Sequence, residues 1–129
     1  MFYRRKIILA LIELLGGEVK KLRFQKLLFL YAMQKQNPEY DFVPYKYGCY
    51  SYSANADIDV LVRNGILTRT NDTYIKESTK SYIPTLKTED KALLETVVSD
   101  YGAMRQNALI KYTYLKFPFF AIHSQIAKK

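Results

Sequence analysis

The chain has a single cysteine, Cys49, and a single histidine, His123. One cysteine excludes any disulfide within the chain and suits a reducing cytoplasm. A tetrahedral zinc site would have to be assembled from Cys49, His123 and carboxylates, and neither a paired-cysteine nor a histidine zinc motif is present. A glycine-rich phosphate loop is also missing. No metal and no cofactor is therefore expected. Long uninterrupted apolar runs are absent too. The opening "MFYRRKIILALIELLGG" joins a basic start to an apolar run, but Glu13 interrupts it and no small-residue cleavage site follows. It is too short to span a bilayer and reads as a helix of a soluble protein, with no membrane partner. There is no internal repeat and no low-complexity segment.

Catalytic constellations are equally scarce. His123 is followed by Ser124, but a Ser-His pair needs a third group to orient the imidazole, and sequence neighbours seldom supply that geometry. Cys49 lies close to Lys46, whose ammonium would lower a thiol pKa, yet no general base follows. It reads as a small buried thiol at a turn. Asp57 and Asp59 are two residues apart and do not share a helix face, so no acid/base pair can be assigned. No enzyme is expected.

What the chain does have is tyrosine and positive charge. Twelve tyrosines and seven phenylalanines occur in 129 residues, a length suited to a single domain over 1–129 with a genuine core. Tyrosine packs its ring but needs a partner for its hydroxyl, so many tyrosines imply half-buried positions or an interface. The net charge of +8 is unevenly spread: +6 over 1–35, −3 over 36–100 and +5 over 101–129. Basic ends permit contact with phosphates or with an acidic protein.

Periodicity organises the chain. Ile8, Leu11, Ile12 and Leu15 form one stripe of a helix over Phe2 to Leu15, stopped by Gly16-Gly17. Arg4, Arg5 and Lys6 fall in its first turn, where the helix dipole disfavours them, so a partner or a solvated face is expected for them. A second helix covers Leu22 to Lys35 and ends at Asn37-Pro38. "DFVPYKYG" reads as a short extended piece that Pro44 keeps out of a central strand. Ser53 is expected to cap a helix from Ala54 to Asn64, with Asn55, Asp57, Asp59, Arg63 and Asn64 exposed. Ile66 to Thr70 and Thr73 to Glu77 read as a β-hairpin. Ser78 to Leu86 reads as irregular or weakly extended. Helices return from Thr88, which is expected to cap, with Gly102 bending or dividing the stretch before Ala103 to Leu115. Pro118 ends the last helix, and the apolar "FPFFAIHSQIAKK" needs a surface to pack on.

The expected fold is mainly α, of the α+β class. It has a winged-helix-like core over 1–87, with its hairpin at 66–77, and a C-terminal helical part over 88–129. In such a module one helix enters the major groove and basic groups hold phosphates. The aspartates of the 54–64 helix would repel phosphates there, and only Arg63 suits guanine edges.

The stretch "LRFQKLLFLYAMQ" followed by "DFVPYKYGCYSYS" resembles the SocA-like antitoxin family, also called Panacea. The matching residues are Phe24, Gln25, Lys26, Leu27, Leu28 and Phe29, then Phe42, Pro44, Tyr45, Lys46, Tyr47 and Gly48. Cys49 stands where that family usually has proline. A bacterial branch sometimes found before a DUF488-type domain is similar over more of the chain, through Tyr112, Thr113, Tyr114, Lys116, Pro118, Ala121, Ile122 and Ser124. The resemblance implies a non-catalytic bacterial protein, antitoxin-like or adaptor, whose partner is a toxin or a defence protein.

Two functional expectations follow. In the first, Tyr45, Tyr47, Tyr50 and Tyr52 give rigid aromatic contact area to a protein partner, with Lys26, Lys46 and Arg63 pairing its charges. In the second, the module binds DNA. Arg4, Arg5, Lys20, Lys21 and Arg23 then hold phosphates, with Arg69 and Lys76 on the wing.

Overall fold

The computed structural model describes residues 1–45 and 48–121. Two helices at the centre organise everything else. α1 spans Tyr3–Leu14 and α2 spans Lys21–Met33. The sequence pattern predicts one apolar stripe on each, but both are covered almost all round. In α1 the six consecutive residues Ile7 to Ile12 are fully buried, and in α2 the run from Lys26 to Ala32 is buried. A helix that is apolar on every side belongs inside the protein rather than on its surface. Packed neighbours explain the cover: α1 meets α2, α3, α4 and the sheet strands, while α2 meets α4 and α5.

Gly16 and Gly17 both adopt positive φ, at 95° and 90°, which side chains rarely tolerate. The Gly17 N–H donates back to the Ile12 carbonyl at 2.9 Å and closes α1. The chain then runs directly into β1, Glu18–Lys20, which had no sequence signal of its own. β1 pairs with β5, and β5 with β4, all antiparallel. β4 is Leu67–Arg69 and β5 is Thr73–Lys76, the two arms of the expected hairpin. The result is a three-stranded sheet in the order β1-β5-β4.

The "DFVPYKYG" piece is more ordered than a single extended segment. β2, Val43–Tyr45, pairs with β3, Gly48–Tyr50, as a separate two-stranded ladder with Pro44 opposite Cys49. Proline is accommodated because neither strand of a two-stranded ladder is central. α3 spans Tyr52–Arg63, two residues earlier at its start than expected. Its cap is Ser51 rather than Ser53: Ser51 Oγ accepts from the Ala54 N–H at 3.1 Å. Ser53 lies inside the first turn, where it only shares a hydroxyl contact with Ser51.

The C-terminal helices are α4, Thr88–Tyr101, and α5, Gln106–Lys116. Lys87, not Thr88, stands at the N-cap position of α4. A 3-10 turn at Ile83–Thr85 precedes α4 and another at Pro118–Ala121 follows α5. The second turn brings Phe117 and Phe120 edge-on to Phe29 of α2, at centroid distances of 5.1 and 4.7 Å, so part of the expected apolar tail packs on the core. The architecture is α+β, five α-helices with two small antiparallel sheets among the described residues. No described helix is long and apolar enough to cross a membrane.

A buried polar cluster fastens α4 to this centre. Tyr3 Oη donates to Asp90 Oδ2 at 2.6 Å and accepts from the Lys87 N–H at 2.9 Å. Lys35 Nζ donates to Asp90 Oδ1 at 2.7 Å and also reaches Glu39, which accepts from Tyr31 Oη at 3.0 Å. Burial works against the Asp90 charge, but the bonds from Lys35 and Tyr3 outweigh it and hold the carboxyl below its ordinary pKa. Burial and the neighbouring Asp90 push the Tyr3 phenol up to about 12.

Candidate functional site: an aromatic cleft with a basic rim

Tyr45 and Tyr50 lie on the same face of the β2-β3 ladder, because Tyr50 pairs with Val43, two residues before Tyr45. Their ring centroids are 4.8 Å apart. Tyr52, the first residue of α3, closes edge-on to Tyr50 at 4.8 Å. The three rings form one continuous cluster, and Tyr52 keeps 63% of its surface exposed. The alternation of tyrosines in the sequence therefore does bring three of the expected interface rings together.

Behind the cluster lies a cleft of about 340 Å³. Its walls come from four elements: Lys21, Leu22 and Gln25 from the first turns of α2, Tyr45, Cys49 and Tyr50 from the ladder, Asn55 from α3, and Arg69 with Tyr74 from the outer hairpin. Arg69 and Tyr74 face each other in the β4-β5 register. Lys21 Nζ lies 5.6 Å from the Tyr74 ring centroid, a cation over a π-face. Phe24 supports the same ring from the core side, edge-on at 5.4 Å. Among the described residues the lining has two cationic side chains and no carboxylate. Arg69 is held from outside the cleft by Asp59. Gln25 Oε1 is buried and has no hydrogen-bond partner among the described residues. An acceptor left in that state costs about 1–3 kcal/mol.

Several expected site residues lie elsewhere. Lys26 is 1% exposed, so it is not a surface cation for a partner. Its Nζ lies 3.7 Å from Cys49 Sγ and 5.0 Å from the Tyr114 ring centroid. The helical pattern puts it on the polar side of α2, but every residue of α2 from Lys26 to Ala32 is buried. Burial pulls the Lys26 pKa down. Burial also raises the Cys49 thiol to about 11, a larger effect than the lowering by Lys26, so this thiol is not activated. Arg63 is exposed at the far end of α3. Lys46, Tyr47, His123 and Ser124 lie outside the described residues.

The phosphate-holding set is largely engaged within the protein. Asp57, expected on the exposed face of α3, is 2% exposed and accepts from Arg4, Arg5 and Tyr40. This is the partner that explains two arginines in the first turn of α1. Burial raises the Asp57 pKa, but the bonds from Arg4, Tyr40 and Arg5 prevail and hold it low. Lys20 pairs with Asp72 at 2.9 Å. Arg23 Nη1 donates to the Gly102 carbonyl at 3.0 Å, and Lys76 donates to the carbonyls of Ser78 and Lys80. Lys20 and Arg23 also line a second, more open hollow of about 450 Å³ with Glu18 and Thr73.

Sequence reasoning missed Asn55 and Tyr74 as cleft residues, and noticed Gln25 only inside the "FQKLL" string. A lone tyrosine in a short strand looks like ordinary strand composition until its register with Arg69 is known. Among the described residues no three His, Cys, Asp or Glu side chains converge to hold a metal ion. No protein-family model matches the chain, and no curated protein matches it either.

Proposed function

We propose that this chain is a non-catalytic binding protein, antitoxin-like or adaptor, whose partner is another protein. The observation that carries the reading is the contiguous Tyr45-Tyr50-Tyr52 cluster, open to solvent and seated on a ladder and a helix start. Tyrosines on rigid elements provide contact area at low entropic cost, and such rings are frequent energetic anchors of protein interfaces. The resemblance to SocA-like antitoxins supplies the setting of this proposal: a bacterial cytoplasmic protein acting with a toxin or a phage-defence protein. Within the proposal, residues 1–87 are a winged-helix-like unit. The order α1, β1, α2, α3 and then the β4-β5 hairpin supports this, as does the pairing of β1 with β5.

The test is recovery of partners from the native host with tagged wild-type protein and with Tyr50→Ala/Tyr52→Ala. The expected result is one protein enriched by the wild type and reduced about tenfold by a variant that retains its circular dichroism, a loss of about 1.4 kcal/mol. Identical protein sets from both baits overturn the reading.

DNA binding is the second reading, favoured by the net charge and by Lys21 and Arg69 on one cleft. It is weakened by Arg4, Arg5, Lys20, Arg23 and Lys76, which already serve internal acceptors. Binding to random duplex that collapses steeply with salt supports it, and no binding at low salt removes it.

A further inference from the structure

We propose that the cleft between α2, the β2-β3 ladder and the outer hairpin is a site for a nucleobase carrying a phosphate, with the base against Tyr45 and Tyr50 and the phosphate at Lys21 and Arg69. This goes beyond the protein-partner reading and does not depend on it. Three features of the cleft select the ligand together. Among the described residues its charged lining is all positive, from Lys21 and Arg69, which calls for an anion. Its Tyr45 and Tyr50 surfaces call for a flat unsaturated ring, since every base offers a π-face to an aromatic side chain. Gln25 and Asn55 line the cleft with side-chain amides, whose donor and acceptor character matches base edges. The volume, about 340 Å³, lies in the range of small-molecule sites. Arg69 can serve a phosphate because its present partner, Asp59, forms a solvent-exposed pair with it, and exposed pairs hold weakly.

The shared chemistry has two sources, a free nucleotide or one nucleotide of a single strand. The experiment is an NMR titration of the labelled protein with AMP, GMP, CMP and UMP. Parallel arms use the four free nucleosides, ribose 5-phosphate, single-stranded hexanucleotides and hexaglutamate. We expect at least one monophosphate to saturate with a Kd below about 1 mM. Its nucleoside and ribose 5-phosphate should each bind at least about tenfold more weakly, because each lacks one half of the recognised group. The Gln25 side-chain amide signal should move on saturation. Lys21→Ala and Arg69→Ala should weaken the monophosphate about tenfold, while Lys111→Ala, an exposed change on α5, should not. Gln25→Leu should narrow the preference among the four bases. A hexanucleotide at least about tenfold tighter than the monophosphate assigns the site to a strand, and equal affinities assign it to a free nucleotide. Absence of saturation by every monophosphate and hexanucleotide at about 5 mM overturns the proposal. So does hexaglutamate binding as tightly as the best nucleotide, or an equal loss with Lys111→Ala.

Discussion

Arg4 Nε lies 2.6 Å from Asp57 Oδ2, across 53 residues of sequence. Arg5 and the Tyr40 hydroxyl complete the coordination of the same carboxylate, at 2.9 and 2.8 Å. One buried aspartate thus fixes the start of α1 against the middle of α3. Asp57→Ala would leave Arg5 partly buried without its acceptor and Tyr40 without its bond. The expected loss is about 3 kcal/mol, measured by urea unfolding, since removing one member of a buried pair strands the other. A loss below about 0.5 kcal/mol would mean that the cluster contributes no net stability.

Acid stability carries the same signature. The folded pKa values of Asp57 and Asp90 lie below their ordinary range. Their contribution is therefore complete above the unfolded carboxyl pKa, about 3.9, and falls away as pH drops through the lower folded values. Wild-type stability should decline with falling pH in that window. The double variant Asp57→Asn/Asp90→Asn should start lower at neutral pH and lose less on acidification. Parallel pH profiles for the two proteins would refute the assignment.

The two serines at the start of α3 should respond differently. Ser51 is buried and its hydroxyl accepts the Ala54 N–H, so Ser51→Ala should cost about 1 kcal/mol. Ser53→Ala removes a side chain that caps nothing, and should change stability by less than about 0.5 kcal/mol. Thermal or urea melts of the two single variants decide between these positions. An equal or larger cost at Ser53 would move the cap back to where the sequence pattern puts it.

Cys49 should be unreactive while the protein is folded. Its thiol is buried and its pKa is raised to about 11, so little thiolate exists at pH 8. Iodoacetamide should label the unfolded chain at least about 100-fold faster than the native one. The linkage runs the other way from the aspartates. With its folded pKa above the unfolded value of about 8.5, the thiol's contribution is intact below that pH and is lost as pH rises toward about 11. Rapid alkylation of native protein at pH 8 would show an accessible, activated thiol instead.

How much of this could be seen in the sequence depended on the range of the interaction. The helices were legible because their signals recur within a few residues, and so was the β4-β5 hairpin, whose arms adjoin. β1 was not: Glu18-Val19-Lys20 is too short to show alternation, and its partner Thr73–Ile75 lies more than fifty residues on. The burial of Asp57 was hidden for the same reason. Nothing near Asp57 in the chain announces two arginines, and acid in an early helix turn is ordinarily an exposed feature. Three of the aromatic site residues were legible from their clustering, while Asn55 and Tyr74 join them only through tertiary packing. Lys26 misled because the outer side of α2 is solvated only in a smaller fold, and here α5 and the ladder occupy it.

The Tyr3–Asp90 bond has a consequence for synthesis. The first helix of the chain is completed by a residue 87 positions later. On a ribosome adding roughly 5–20 residues per second, α1 waits some 4–17 seconds before α4 can reach it. Through that interval its run of isoleucines and leucines has α2 as its earliest cover. Until α4 emerges, α1 has α2, α3 and the sheet against it, and Tyr3 and Lys35 lack their shared carboxylate, so truncation before α4 should lower the yield of soluble protein.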